Sequence, residues 1–243
     1  MRGKPQVLVA AGVVAVLALV VVLLGFGEHS ETSSAEPVVI CIDSTVSTNG
    51  VRASYLPDLA AVARRAAVHQ ARFYAAACGA NATGTVDWPV RKKFSGSYTG
   101  DLAREQADHQ AEEVIKGDEK HEGLEDLTRT SSKMKGTPLG EMLAVLARQC
   151  GQAGGECTIY LFTDGEWADK LVKVSDGVTE VEKGRYIETY ARRLGTLAGS
   201  QVNFIGVGHG TKMGEVHLAE AKALAAALIQ AAGGEMGSWS TRL

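Results

Sequence analysis

The sequence has no strongly basic block, and its formal net charge at pH 7 is −3. Binding to nucleic acid relies on clustered lysine and arginine side chains, so this charge balance argues against a nucleic-acid partner. No cysteine follows the apolar N-terminal run in a lipobox-like setting, which argues against a lipoprotein. The four cysteines lie further along the chain, where they form an even set.

The stretch from Val7 to Phe26 contains no charged residue. At about 1.5 Å per residue, a helix of this length spans a hydrocarbon core of roughly 30 Å. Basic residues precede the stretch and acidic residues follow it, so the positive-inside rule places the N terminus in the cytoplasm and the rest of the chain outside. We therefore expect a single-pass membrane protein with a cytoplasmic N terminus at residues 1–5, a transmembrane helix at 6–27 and a linker at 28–36.

A cleaved signal peptide is the alternative interpretation of this segment. Ser33-Ser34-Ala35 loosely resembles a small-x-small cleavage site. However, the apolar run is longer than the ~7–15 residues of a usual signal-peptide core, and the candidate cleavage site lies well beyond its end. The retained anchor is therefore the favoured interpretation.

Two apolar runs further along the chain each end in a carboxylate. Val38 to Ile42 is a continuous run that ends at Asp43, and Thr158 to Thr163 ends at Asp164. Such runs fit strands that are covered on both faces, as central parallel strands usually are. Open α/β sheets bind ligands outside the carboxyl ends of their strands, so the site is predicted at that edge.

The rest of the pattern alternates between helices and strands. The predicted fold class is α/β, with a doubly wound, mostly parallel central sheet flanked by helices over residues 37–232 and a flexible tail at 233–243. The further elements that we expect are a helix at Leu56–Ala77, short edge strands at Thr85–Trp88 and Val90–Phe94, a helix at Asp101–Lys116, a helix at Leu139–Gln149 capped by Thr137, a helix at Arg185–Leu197, a strand at Val202–Gly208 and a helix at Glu215–Ala232.

Three motifs in this order resemble the von Willebrand factor type A (VWA) family. They are the run from Asp43 to Ser47, which matches an Asp-x-Ser-x-Ser motif, the Thr137 of a later loop, and the Thr-Asp-Gly that contains Asp164. In that family these motifs build a metal-ion-dependent adhesion site. The resemblance implies that a divalent cation is bound by Asp43, Thr45, Ser47, Thr137 and Asp164. One position departs, because Thr45 stands where the family has Ser and adds a methyl group beside the ion.

The chemistry of these side chains agrees with that implication. Two carboxylates and three hydroxyls suit a hard cation, most simply Mg²⁺, with Mn²⁺ and Ca²⁺ as alternatives. They do not suit zinc, which prefers histidine and cysteine ligands. Each motif alone is a weak signal, since Asp and Ser often bond their own backbone in turns. Their order and spacing in one chain are more specific.

The resemblance implies a binding module and not an enzyme: the cation would keep one position open for an Asp or Glu carboxylate from a protein partner. An alternative is a haloacid-dehalogenase-like phosphohydrolase with Asp43 as nucleophile. In such enzymes a second Asp, two residues after the nucleophile, serves as the general acid, and this chain has Thr45 at that position. The later Lys and the pair of acidic residues that these enzymes also need cannot be placed in the sequence. A third possibility is a domain of this fold that binds no metal.

The cysteines allow two interpretations. Cys150 and Cys157 bracket a glycine-rich loop and, in an extracytoplasmic compartment, could close it as a disulfide. Cys41 is expected to be a buried free thiol and Cys78 has no obvious partner. The alternative is four reduced thiols. Glu166, Asp169 and His209 follow the predicted strands and are interpreted as loop residues.

Overall fold

The computed structural model describes residues 35–79, 86–96, 100–130, 133, 135–195 and 197–243. Ala35 to Leu243 form one compact unit. The predicted transmembrane segment at residues 6–27 lies outside the described residues. Within the described ranges, no helix is long and apolar enough to cross a membrane.

Six strands of the described chain form one sheet: β1 (Val38–Asp43), β2 (Arg72–Cys78), β3 (Val90–Lys93), β4 (Thr158–Phe162), β5 (Gln201–Ile205) and β6 (Glu235–Ser240). Their spatial order is β3-β2-β1-β4-β5-β6, and every neighbouring pair is parallel except β2 with β3. The prediction of a mostly parallel α/β sheet is therefore confirmed.

Helices cover both faces of this sheet: α1 (Leu56–Val68), α2 (Asp101–Lys116), α3 (Leu124–Arg129), α4 (Leu139–Ala153), α5 (Glu180–Leu194) and α6 (Glu215–Ala231), with 3-10 turns at Arg52–Tyr55 and Val174–Asp176. On β1, Val39 and Cys41 face a core shared with α4, α5 and α6. Ile40 and Ile42 face the opposite core, shared with α1, α2 and α3. The whole of β1 is buried, which explains its unbroken apolar sequence.

The strand order places a switch point at the middle of the sheet. From β1 the chain moves to β2 and β3 on one side, and it then crosses to β4 on the other side of β1. Connections that leave in opposite directions open a crevice at the carboxyl ends of β1 and β4, where ligands of such sheets bind. Asp43 ends β1 and Asp164 follows β4, so both carboxylates lie at this crevice.

The predicted long helix at Leu56–Ala77 is wrong in its second half. The helix ends at Val68, the chain turns at Gln70 (φ 55°), and β2 begins at Arg72. Alanine favours helices, but that preference is weak beside the burial gained by a strand placed between β1 and β3. Because β2 was missed, the position of Gly79, which follows β2 and contacts Thr45, was missed as well.

The segment expected to be a flexible tail contains β6, which pairs with β5. The Asn203 side-chain oxygen accepts hydrogen bonds from the backbone nitrogen and hydroxyl of Ser238, at 2.9 and 2.8 Å. A shift in register occurs at this point, and a Cβ at Gly237 would lie 2.3 Å from the same oxygen. Trp239 then packs against Phe204, with 5.1 Å between ring centroids. Asn203 therefore orders a segment whose composition suggested a frayed end.

The cysteine pairing also differs from the prediction. Cys41 and Cys78 form a disulfide with 5.7 Å between their Cα atoms, whereas Cys150 and Cys157 are buried free thiols. The predicted Cys150–Cys157 bond and the predicted free Cys41 are both wrong. The reason is the missed strand, because only β2 brings Cys78 beside Cys41 on β1.

Candidate functional site

Asp43 is the centre of a hydrogen-bond network at the end of β1. It is completely buried. Its Oδ1 accepts bonds from the backbone nitrogen and hydroxyl of Thr45, at 2.9 and 2.7 Å. Its Oδ2 accepts bonds from the hydroxyls of Thr137 and Thr163, at 2.8 and 2.9 Å. The single carboxylate thus joins the loop after β1, the loop before α4 and the end of β4.

Thr137 does not cap α4, which corrects the predicted role. Pro138 occupies the cap position and no side chain accepts a bond there. The Thr137 hydroxyl is directed to Asp43, and its carbonyl accepts a bond from Ala168 at 3.1 Å. A parallel bridge with Trp167 fixes the same residue to the loop after β4.

The three hydroxyls predicted as ligands lie beside one another. The Thr45 oxygen is 3.1 Å from that of Thr137 and 3.2 Å from that of Ser47. The extra methyl of Thr45 lies against Gly79, where a Cβ would approach it to 3.0 Å. The methyl is therefore accommodated by a glycine, while the hydroxyl faces the other oxygens.

Asp164 completes the cluster from the other side of the crevice. It is completely buried, its Oδ1 accepts a bond from the Glu166 backbone nitrogen at 2.9 Å, and the Ser47 hydroxyl lies near enough to lower the pKa of the carboxyl. Its Oδ2 has no hydrogen-bond partner. Burial, reinforced by the charge of Asp43, raises the pKa of Asp164 to about 6. Burial also raises the pKa of Asp43, although the four hydrogen bonds oppose the change.

All five predicted ligands are thus brought together, and their chemistry fits a hard divalent cation. A buried hydrogen-bond acceptor without a partner destabilises the folded state, and two nearby carboxylates disfavour each other's ionisation. A cation would compensate both effects. Among the described residues no three His, Cys, Asp or Glu side chains gather at one point, so the cluster depends on hydroxyls for its remaining ligands. That oxygen-only set matches Mg²⁺ and not zinc.

Three nearby residues were not found from the sequence: Thr163, Arg52 and Tyr55. Thr163 contacts Asp43 directly, and its position in the Thr-Asp-Gly motif was the available signal. Arg52 is 3 % exposed and donates to the Thr130 carbonyl and the Asn49 side chain, and no motif marks it. Burial lowers the pKa of Arg52, while the charge of Asp43 opposes that change.

Tyr55 lies deeper in the same region. Its hydroxyl is buried without a hydrogen-bond partner, and its ring packs so closely on Gly206 that a Cβ there would meet it at 2.4 Å. Burial and then the charge of Asp164 raise the pKa of Tyr55. The three buried side-chain atoms without partners in the described chain are therefore on Tyr55, Arg52 and Asp164, all beside the crevice.

The other loop residues have mainly local contacts. The Asp169 carboxylate accepts bonds from the backbone nitrogens of Leu171 and Val172, at 2.7 and 3.1 Å. His209 lies with Nδ1 3.4 Å from the Ser54 hydroxyl. Glu166 acts on the site through its backbone bond to Asp164 and through its charge, which raises the pKa of that carboxyl.

Known proteins add little to this description. No known family profile matches the chain, and no curated protein matches it in sequence. Among solved structures, a crystal structure of the human COPII-coat protein Sec24c is similar over 85% of this chain and 30% of its own, with 9% sequence identity and a TM-score of 0.39. That likeness is too low to establish a shared fold, and it does not indicate a VWA domain.

Proposed function

We propose that this chain carries a VWA-type domain that binds a protein partner through a divalent cation, most simply Mg²⁺. The observation that supports the proposal is the meeting of Asp43, Thr45, Ser47, Thr137 and Asp164 in one cluster at the switch point of the sheet, where hydrogen bonds join the first four. These residues come from three separate loops, yet all present oxygen atoms to the same place. Folding alone does not require such a set, since an apolar filling would avoid two buried carboxylates.

Each residue has a distinct role in this proposal. Asp43 and Asp164 supply the negative charge, and the three hydroxyls fill further positions. Thr163 orients Asp43 by donating to its Oδ2. When bound, the cation supplies an open position that accepts a carboxylate of the partner. No catalytic group is needed, and the protein is proposed to be a binding module and not an enzyme.

We also propose that residues 6–27 anchor the domain in a membrane, with residues 1–5 in the cytoplasm. The support is the uncharged run from Val7 to Phe26 and the charge asymmetry around it. The full chain should stay with membranes after an alkaline carbonate wash, and protease added outside the cell should digest the domain. Release of a mature form beginning at Glu36 would show that the segment is a signal peptide.

Calorimetric titration of the chain with Mg²⁺ tests the metal site. Wild type should bind the ion, and Asp43→Ala should lose binding while its circular dichroism stays that of a folded protein. Asp176→Ala is the matched control, because that carboxylate is exposed and paired with Lys173 away from the cluster. An Asp43→Ala variant that binds Mg²⁺ as tightly as wild type would refute the assignment.

A metal-free interaction domain is the second candidate, and one observation favours it. Asp43 already accepts four hydrogen bonds, so its carboxylate is satisfied without an ion. The phosphohydrolase alternative lacks such support, because the position of its general acid holds Thr45, whose hydroxyl donates to Asp43. Partner binding that persists in chelator would favour the metal-free domain, and turnover of p-nitrophenyl phosphate that Asp43→Ala abolishes would favour the enzyme.

A further inference from the structure

Two exposed lysines border the candidate site on loops that are fixed to each other. Lys135 stands two residues before Thr137, and Lys170 lies on the loop after β4. Ala168 donates from its backbone nitrogen to the Thr137 carbonyl at 3.1 Å. A Cβ at Gly136 would lie 2.7 Å from the Ala168 carbonyl oxygen, so the loops touch with no side chain between them. Both lysines therefore lie on loops that touch each other next to Thr137, whose hydroxyl donates to Asp43.

Lys170 is held at the tip of a tight turn. The backbone nitrogen of Asp169 donates to the Val172 carbonyl at 2.8 Å, and the Asp169 carboxylate accepts bonds from the backbone nitrogens of Leu171 and Val172. The turn is closed across Ala168 and Lys173 by an antiparallel bridge. The backbone that carries Lys170 is thus ordered before any partner arrives, which limits the entropy lost on binding.

The two lysines also differ in their ion pairs from the lysines further along the segment after β4. Lys173 pairs with Asp176 at 2.7 Å, and Lys183 pairs with Glu180 at 3.6 Å. Lys135 and Lys170 pair with no carboxylate of the described residues. The nearest acid along the chain, Asp169, has its carboxylate occupied by the turn. Lys135 and Lys170 are therefore available to pair with a binding partner, whereas Lys173 and Lys183 are already paired within the domain.

We propose that the partner segment is acidic beyond the residue that reaches the cation: further Asp or Glu side chains flank it and contact Lys135 and Lys170. This inference rests on the proposed function. Exposed charge pairs contribute little affinity each, but they raise the rate of association and select against wrongly charged partners. Two lysines fall short of the clusters of about 4–8 basic residues that attract anionic lipid, so the occupant is a protein segment.

Two capped synthetic peptides test the inference on the full chain in neutral detergent with Mg²⁺. One peptide has a central Asp flanked by Glu residues, and the other has the same Asp flanked by Gln. At low salt the Glu peptide should bind roughly 3- to 10-fold more tightly, as two surface pairs allow. Joint replacement Lys135→Gln and Lys170→Gln should abolish the difference, as should high salt. Lys222→Gln, an exposed change within α6, is the control and should leave the difference intact.

The outcomes separate this inference from the function on which it rests. Equal binding of the two peptides, a preference that survives the double replacement, or no measurable binding of the Glu peptide would overturn the inference. Binding of mixed micelles containing phosphatidylserine through the same lysines, more tightly than the Glu peptide, would assign the surface to lipid instead. Peptide binding that survives EDTA would refute the metal-dependent function, whereas Mg²⁺-dependent binding that ignores the flanking charges would refute only the acidic partner.

Discussion

Replacing Asp164 by Asn is expected to stabilise the metal-free protein at neutral pH. The carboxyl is completely buried and its pKa is raised to about 6, so the folded state holds its proton more tightly than the unfolded chain does. A raised carboxyl pKa means that stability falls as pH rises from the unfolded pKa, near 3.8, through the folded pKa. About two pKa units at ~1.4 kcal/mol each give a penalty on the order of 3 kcal/mol above pH 6.

Asn keeps the shape of the protonated carboxyl and cannot ionise, so the variant escapes this penalty. Urea unfolding in EDTA, followed by circular dichroism between pH 4 and pH 8, measures the difference. The curves of variant and wild type should converge near pH 4 and separate as pH rises through about 6. Asp176→Asn, at an exposed site whose Lys173 pairing lowers the pKa of that carboxyl, is the control and should give no such gain.

If the proposed metal site is correct, added Mg²⁺ should reverse the order, because wild type would gain binding energy that the Asn variant would largely lose. The expected gain in EDTA depends on burial and the neighbouring Asp43, which disfavour the ionised form of Asp164. This explanation would be refuted by a variant that is no more stable than wild type at pH 7.5 in EDTA. A gain in stability that is the same at pH 4 and pH 7.5 would refute it as well.

Three further changes test other contacts. Arg52→Met should destabilise the fold by about 2 kcal/mol in urea unfolding, because the Thr130 carbonyl and the Asn49 side-chain oxygen both lose the donor that Arg52 supplies. Arg52→Lys keeps a charged donor and should recover part of this loss. Alkylation of the denatured, unreduced chain should modify Cys150 and Cys157 and spare Cys41 and Cys78. Replacing Cys41 and Cys78 with Ala should lower the free energy of unfolding by about 3 kcal/mol, since their bond spans 37 positions. Asn203→Ala should speed hydrogen exchange in β6 with little change in β1, because the side chain that holds Ser238 is lost.

The parts of the fold that the sequence predicted best are those with local signals. β1 is apolar throughout because both of its faces are buried, and this pattern is visible in the sequence. The helix at Asp101–Lys116 was predicted with the bounds that the structure shows. The start of α5 at Glu180 was missed, although Thr179 and Glu182 form a capping box there.

Elements defined by contacts distant in sequence could not be found in this way. The alanines of β2 favour a helix, and their strand conformation depends on β1 and β3 lying on either side. β6 depends on Asn203, whose side chain holds a strand 35 residues away. The disulfide required knowledge of β2, so the error in one element became an error in the cysteine pairing.

The convergence of the two candidate carboxylates could be predicted more readily than the fold around them, and the reason is geometric. A parallel strand at the switch point delivers the residues after its carboxyl end to the crevice, whatever the rest of the sheet does. Asp43 and Asp164 follow two such neighbouring strands, so their convergence needs only β1 and β4 to be correct. The contacts of Thr163 and Gly79 with the cluster, and the charge interaction of Arg52 with Asp43, depend on how three segments pack together. Gly79 illustrates this: it accommodates the methyl of Thr45 directly after β2, a strand whose residues up to Ala77 were predicted to be helical.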